Sequence, residues 1–518
     1  MNIKLLAMQN NRVTITILPE NRSVTVPAGT TIADALLNCN IILNTPCGGK
    51  GICKKCTVHA SGLLSQPDDY EKSLGDSSLR LACRAVIIGD ATIWIDSITQ
   101  RPRYPELNPT NTYAVAIDIG TTTVQIAFFD MTTKQATPEI TLLNPQRRFG
   151  LDVMTRLSHA NDPAKASHLT QILLQTIITT IQDVCNISGI DIHSIVTIAI
   201  SGNTVMSYSF LGIDITPLGT YPYTTLITSF DNYNHYPPLK KTFPNAHITV
   251  LPVVSAFLGG DFLGGVGTLP KTKGNSFFFD IGTNGEMAII KEDGTIVATS
   301  CAMGPALEGM NISSGMTATE GAITHFNLYN NTLTYTSLGD GKPSGISGTA
   351  LIDLIAILLK NGVIEKSGAI KTAIPQPLSK HIQLEHIENM KTLIILDIIT
   401  INQQDIRNVQ LAKGASLAAA KILLREAGLS AHDIEQVYIA GAFGQHINID
   451  NFNELSFLPE FKQATYHCAG NTSLKAAITA CTDNEFLQRL LQRKEHITTI
   501  DLSQHHEFND IYIKSLDF

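Results

Sequence analysis

Apolar and polar residues alternate along RVTITILP (12–19) and RSVTVPAG (22–29), on either side of the turn PENR, which predicts the two short strands of a hairpin. TTIADALLN (30–38) then changes to helical spacing and predicts a short amphipathic helix. TQRPRYPELNPTN (99–111) has three prolines and little periodicity, and reads as a partly stiff linker. Beyond it, two apolar runs end in the same four residues. AIDIGTTT (116–123) and FFFDIGTNGEM (277–287) both lead from a strand into Asp-Ile-Gly-Thr, and further apolar residues follow each, VQIAFF and MAII. The repeat predicts a duplicated domain with two equivalent strand–turn–strand units whose loops face each other. Further on, DIRNVQLAKGASLAAAKILL (405–424) has helical spacing that puts Ile406, Val409, Ala412 and Leu417 toward a core.

The repeated turn suits phosphate. Glycine permits close backbone approach, consecutive N–H groups and threonine hydroxyls donate to phosphate oxygens, and a carboxylate holds Mg²⁺ directly or through water. Asp118 and Asp280 stand where the two strands open into these turns. One such turn is an ordinary hairpin feature, and the pair carries the argument. GGVG (264–267) lacks the strand–turn–helix surroundings of a dinucleotide fingerprint, and CGGKG (47–51) lacks the spacing of a P-loop, which leaves Lys50 a solvated side chain.

The 518 residues leave room for roughly three or four domains. A net charge of −8 without basic tracts argues against nucleic acid as the main partner. No apolar run reaches the ~18–20 residues of a membrane span, and MNIKLLAMQNN is too short in apolar residues for a signal peptide, so the cytoplasm is expected. Of nine cysteines, five lie in the first 83 residues, and four of these have ligand spacing. Cys47, Cys53 and Cys56 follow C-x5-C-x2-C in NTPCGGKGICKKC, and Cys83 follows in LRLACRA. Three close thiolates on a glycine-rich loop with a distant fourth suit a [2Fe–2S] cluster. Zinc also accepts four thiolates, although its structural sites more often use two C-x2-C pairs. Cys39 falls outside the pattern. Cys185, Cys301, Cys468 and Cys481 are scattered, and Cys301, among small residues in ATSCAMGPAL, reads as a buried thiol.

Residues 11–97 resemble the [2Fe–2S] ferredoxins of β-grasp fold, with a first gap of five residues where the plant type has four. Residues 112–518 resemble the superfamily of acetate and sugar kinases, heat-shock ATPases and actin, whose two ribonuclease-H-like halves close on ATP. The elements occur in the family's order: AIDIGTTT as first phosphate loop, VVSAFLGGDFLGGV (253–266) as first connection, FFFDIGTNGEM as second phosphate loop, VYIAGAFG (437–444) as adenosine turn and GNTSLKAAITAC (470–481) as second connection. The fold class implied is an α+β ferredoxin domain (1–98), a linker (99–111), and a duplicated α/β ATPase with halves at 112–270 and 271–518, the C-terminus returning to the first half.

LNPQRRFGLDVMTRLSHA (143–160), SGNTVM (201–206), GPALEGMNISSGM (304–316) and the 405–424 segment narrow the resemblance to the ATP-dependent reductive activators of corrinoid proteins. Larger members carry an extra middle domain between linker and ATPase, whereas here Asn111 leads straight into the first phosphate strand. The resemblance implies one-electron reduction of Co(II) to Co(I), coupled to ATP. It implies Cys47, Cys53, Cys56 and Cys83 as cluster ligands, and Asp118 and Asp280 as the residues that position Mg²⁺ and water. Gly120, Thr121, Thr122, Thr123, Gly282, Thr283, Asn284, Gly285, Glu286 and Glu308 would hold phosphates, and Gly441, Ala442, Phe443 and Gly444 the adenosine. The partners implied are a corrinoid (cobalamin-containing) protein or methyltransferase, an upstream electron donor and a second copy of the chain. Arg147, Arg148, Asp152 and Arg156 either line the cleft or form surface ion pairs. Two other classes stay open: a small-molecule kinase with a redox-sensing ferredoxin domain, and an ATP-gated switch or electron carrier for a non-corrinoid partner. Activators of radical dehydratases share the ATPase fold but bridge a [4Fe–4S] cluster with cysteines inside it, which the scattered cysteines here do not match.

Overall fold

The computed structural model describes residues 12–19, 21–37, 41, 43, 51, 54, 56–95, 104–387, 389–441, 444 and 446–518. Two compact units emerge, 1–251 with 480–483, and 252–479 with 484–518. Among the described residues no helix is long and apolar enough to cross a membrane.

The first unit begins with β1 (Arg12–Leu18), β2 (Arg22–Pro27), β3 (Thr57–Leu64), β4 (Leu79–Leu81) and β5 (Ile87–Trp94), in the sheet order β2-β1-β5-β3-β4. β1 pairs antiparallel with β2 in the expected hairpin and parallel with β5. The alternation seen in sequence decides which face is covered: Val13, Ile15 and Ile17 of β1 join Ile87 and Ile93 of β5 in a core closed by Ile32, Ala35 and Leu36 of the helix Ile32–Leu37. This is the β-grasp arrangement.

In the same unit, β6 (Tyr113–Ile119), β7 (Thr123–Asp130), β8 (Gln135–Ala136), β9 (Ile140–Leu143), β10 (Ile195–Gly202) and β11 (His247–Val250) form a sheet ordered β11-β10-β6-β7-β8, with β9 also on β7. β6 is antiparallel to β7 and parallel to β10. The second unit repeats this plan with β12 (Asn275–Ile281), β13 (Asn284–Ile290) and β14 (Ile296–Ala302). Two three-stranded sheets follow, β15 to β17 within 322–346 and β18 to β20 within 382–402, before β21 (Ile434–Ala440), β22 (Thr465–Gly470) and β23 (Ile497–Ile500) complete the order β22-β21-β12-β13-β14-β23. β12 is antiparallel to β13 and parallel to β21, so each Asp-Ile-Gly-Thr closes the central strand of its sheet. A strand walled on both sides needs apolar residues on both faces, and Phe277, Phe278 and Phe279 are all fully buried. The helix Gln403–Glu426 buries the four expected residues and more around its circumference.

The small residues of the two connections have the expected use. A Cβ on Gly265 of helix Gly260–Thr268 would lie 2.7 Å from the Thr472 hydroxyl, and one on Gly267 2.3 Å from Leu490.

Where it is described, the proline-rich segment does not behave as a spacer. From Tyr104 onward it is fastened to the helix Pro163–Ser188: the Tyr104 hydroxyl donates to Asp183 at 3.4 Å, the Leu107 N–H donates to the Ser188 hydroxyl at 3.1 Å, and the Leu107 side chain is buried.

The β-grasp domain also contains a buried ion pair. Arg80 Nε donates to Glu71 Oε1 at 2.9 Å and its Nη2 to Oε2 at 3.2 Å, while Glu71 Oε1 also accepts the Leu81 N–H at 3.1 Å. With the side chains 6% and 2% exposed, removing the carboxylate strands a buried cation. Glu71→Ala is expected to cost about 3–5 kcal/mol. Trp94, the chain's one tryptophan, lies in β5 of this domain, so urea unfolding followed by its fluorescence reads the loss locally. An unchanged midpoint would show the pair to be dispensable.

Candidate functional site

Each phosphate-loop candidate is built from a strand end and a tight turn. In the first unit the Gly120 N–H donates to the Thr123 carbonyl at 2.9 Å, and a Cβ on Gly120 would sit 2.9 Å from that oxygen. The turn is held from three sides. Asn144 Nδ2 donates to the Gly120 carbonyl at 2.7 Å and the Asn144 N–H to the Thr122 carbonyl at 2.9 Å. Arg156, fully buried, donates through Nη2 to the Thr121 carbonyl at 2.5 Å, and Asn203 Nδ2 donates to the Thr121 hydroxyl at 3.0 Å. Asp118 lies at the end of β6, opposite Ser201 of β10 and Gln125 of β7.

Asn144 and Asn203 were not singled out from sequence, although both stretches were. Each caps the helical turn that follows, Asn144 accepting from the Gln146 N–H and Asn203 from the Met206 N–H. Serine or aspartate would cap as well, but only asparagine leaves an NH₂ to brace a neighbouring loop. That choice of cap residue was the available signal. Of the four charged residues nearby, Arg156 supports the loop, Asp152 caps the helix Val153–Ala160, Arg147 is buried, and Arg148 pairs with Asp34.

In the second unit the Gly282 N–H donates to the Asn284 carbonyl at 2.9 Å, a corresponding turn one residue shorter. The Thr283 hydroxyl donates to the Glu308 carboxylate, so two predicted residues meet. Gly441, at the end of β21, has φ +92, and a Cβ there would lie 2.5 Å from the Ile281 carbonyl and 2.7 Å from Asp280 Oδ1. The adenosine-turn candidate and the second carboxylate are therefore neighbours, with room between them only because residue 441 lacks a side chain. Gly444 donates its N–H to the Gly441 carbonyl at 3.0 Å. Ala442 and Phe443 lie outside the described residues. Gly285 is buried, and packing requires it, since a Cβ would press Met303 Sδ at 2.5 Å.

Burial, followed by the charges of Asp261 and Asp280, pushes the Glu286 carboxyl well above its ordinary value, while Ser300 donates to it at 3.3 Å. Asp261, at the start of helix Gly260–Thr268, thus joins Asp280 and Glu286 in one acidic group; sequence reading had passed over it as part of a small-residue connection. Cys301 is a buried thiol, as expected, with its pKa raised mainly by burial.

In the β-grasp domain the Cys56 and Cys83 sulfurs stand 3.3 Å apart, well beyond a disulfide's ~2.05 Å. The hydrogen bond between these thiols, aided by backbone donors and opposed by burial, lowers Cys56 to about 7. Two adjacent thiols, one readily ionised, fit the donor set of an iron–sulfur cluster. Cys47 and Cys53, like Cys39, lie outside the described residues.

Comparison with known proteins agrees with this geometry. Residues 15–87 match the 2Fe-2S iron-sulfur cluster binding domain, 113–270 the RACo middle region, and 274–518 the C-terminal domain of RACo, the ASKHA domain. The chain belongs to the RACo family. The middle-region match falls on the stretch read above as the first ATPase half. The corrinoid activation enzyme RamQ of Eubacterium limosum is 31% identical over 371 residues, which are 69% of this chain and 62% of RamQ; the chain thus spans less than two thirds of that relative. A [Co(II) methylated amine-specific corrinoid protein] reductase of Methanosarcina barkeri is 26% identical over 445 residues, covering 78% of this chain and 77% of that protein. The solved structure of a reductive activator for corrinoid, iron-sulfur protein superposes with a TM-score of 0.72 over 98% of both chains at 24% identity, which establishes the shared RACo-family fold.

Gly441 gives a direct test of the nucleotide site. Gly441→Ala forces a side chain into φ +92 against the Ile281 carbonyl. The left-handed backbone alone costs roughly 1–2 kcal/mol, so ATP affinity is expected to fall about 5- to 30-fold or more. Titration with a fluorescent ATP analogue measures this, and an unchanged affinity would remove Gly441 from the site.

Proposed function

We propose that this protein reduces a Co(II) corrinoid protein to Co(I) in one-electron steps driven by ATP. The observation that carries the reading is the presence in one chain of a paired-thiol β-grasp domain and two phosphate-type turns on equivalent strands. The names of the two curated relatives support the corrinoid substrate.

Cys56 and Cys83, with Cys47 and Cys53, would hold a [2Fe–2S] group, which supplies one-electron chemistry when bound. The turns 120–123 and 282–284 would receive ATP phosphates on backbone N–H groups other than those of Gly120 and Gly282, which close the turns. Asp118 and Asp280 would position Mg²⁺ and the attacking water. Hydrolysis needs mainly positioning and charge stabilisation, so no covalent nucleophile is required. Moving one electron against ~200 mV costs about 4.6 kcal/mol. A nucleotide that favours one of two conformations by a comparable margin supplies that much.

The test uses the full chain, an electron donor, Mg²⁺ and a cognate Co(II) corrinoid protein, with Co(I) followed by absorption. ATP is expected to raise the Co(I) yield strongly. Cys83→Ser should stop electron delivery while sparing most ATP hydrolysis, and Asp280→Ala should keep the visible cluster spectrum yet fail to drive reduction. Equal yields with and without ATP would leave only an electron carrier. Phosphorylation of a small molecule with cobalt untouched would identify a kinase instead.

A further inference from the structure

We propose that the turn Pro145–Phe149 joins the first phosphate loop to the cluster cysteines, with Arg148 and Asp34 as the joint, so that nucleotide affinity and cluster redox state depend on each other. This rests on the assignments of 118–123 as a phosphate loop and of the β-grasp domain as a [2Fe–2S] carrier.

The connection is continuous at the level of hydrogen bonds. Asn144 holds the Gly120 and Thr122 carbonyls, as described, and its own side-chain oxygen accepts the Gln146 N–H at 2.9 Å, which starts the turn. Gln146 fixes the turn to its surroundings through Nε2, which donates to the Leu169 carbonyl at 2.9 Å and the Ser209 hydroxyl at 2.7 Å, all buried. Arg148 leaves the turn, lies over the Phe149 ring at 5.0 Å and ends on Asp34 of the helix Ile32–Leu37. The other oxygen of Asp34 accepts the Thr31 hydroxyl at 2.6 Å, which fixes the carboxylate toward arginine. One residue earlier, the Ala33 N–H donates to the Ala82 carbonyl at 2.8 Å, and the Ala82 N–H donates to the Cys56 carbonyl at 3.0 Å. Ala82 therefore lies between the two cluster cysteines, bonded to one and adjacent to the other in sequence.

The joint differs from the links on either side. Those are bonds within one domain or the other, several of them from the side chains of Asn144 and Gln146, and persist while each domain is folded. Arg148–Asp34 is a single ion pair between two domains, with side chains 20% and 31% exposed, and around it Ala33, Leu37 and Ile41 face Leu143 and Pro145 across a small cavity. It is shielded enough to matter and weak enough to open, which is what an element with two arrangements requires. If nucleotide favours one arrangement and cluster charge the other, each ligand state changes the other's free energy by the same factor.

The experiment measures that factor without any corrinoid protein. A fluorescent ATP analogue is titrated anaerobically into the full chain with its cluster oxidised and then reduced by dithionite, and the two dissociation constants are compared. The wild-type ratio is expected to differ from one by about 5-fold or more, the lower end of ordinary allosteric coupling. In Arg148→Gln and in Asp34→Asn it should fall to near one, and the charge-reversed pair Asp34→Arg with Arg148→Asp should restore it. Visible absorption checks cluster content in each variant, and Arg148→Gln, outside the β-grasp domain, keeps the test valid if Asp34→Asn disturbs the cluster. A wild-type ratio of one, or a ratio preserved in both single variants, overturns the proposal. Neither result bears on whether the protein reduces cobalt, and failure to reduce cobalt would leave the ratio intact.

Discussion

In each half a carboxylate stands at the open end of a buried strand and the backbone beyond it reverses at once, and much of this molecule depends on that arrangement being made twice. Gly120 and Gly282 make it with the same device, an N–H returned to a carbonyl two or three residues on. The reversal lets the next strand pair antiparallel, while the other edge of the central strand takes a parallel neighbour, β10 in one unit and β21 in the other. The ends of those parallel strands then arrive beside the turn. Gly202 and Gly441 both lie where a Cβ would strike the carbonyl after the aspartate, Ile119 at 2.8 Å and Ile281 at 2.5 Å. Close approach is what glycine provides at both places, and at Gly441 it also permits the positive φ.

Local chemistry was legible in the sequence and long-range chemistry was not. The hairpin at 12–27, the strands bearing Asp118 and Asp280, and the thiol spacing each depend on residues near one another in the chain, so periodicity and turn composition revealed them. Asn144 and Asn203 reach the first loop from 24 and 82 residues away, and only the choice of asparagine as cap residue hints at the brace. Asp261 was hidden for a similar reason: it precedes a helix of small residues whose packing role was evident, and its proximity to Glu286 exists only once β13 and the helix are placed.

The same distinction explains Arg148. An arginine in a charged, proline-initiated turn has many uses, and sequence offered cleft lining or a surface pair. Its partner Asp34 belongs to another domain, 114 residues earlier. Pairings between domains leave no periodic trace, because each side satisfies its own fold independently.

The anchoring of the proline-rich segment has a consequence for how electrons can leave the protein. With the chain pinned from Tyr104 onward and the β-grasp domain ordered through Ile95, the intervening backbone spans at most about 30 Å when fully extended. The carrier therefore stays within a small volume around the end of the helix Pro163–Ser188, at the high effective concentration that a short tether imposes. Its encounters with its own ATPase domain are independent of protein dilution, whereas encounters with any acceptor fall with acceptor concentration.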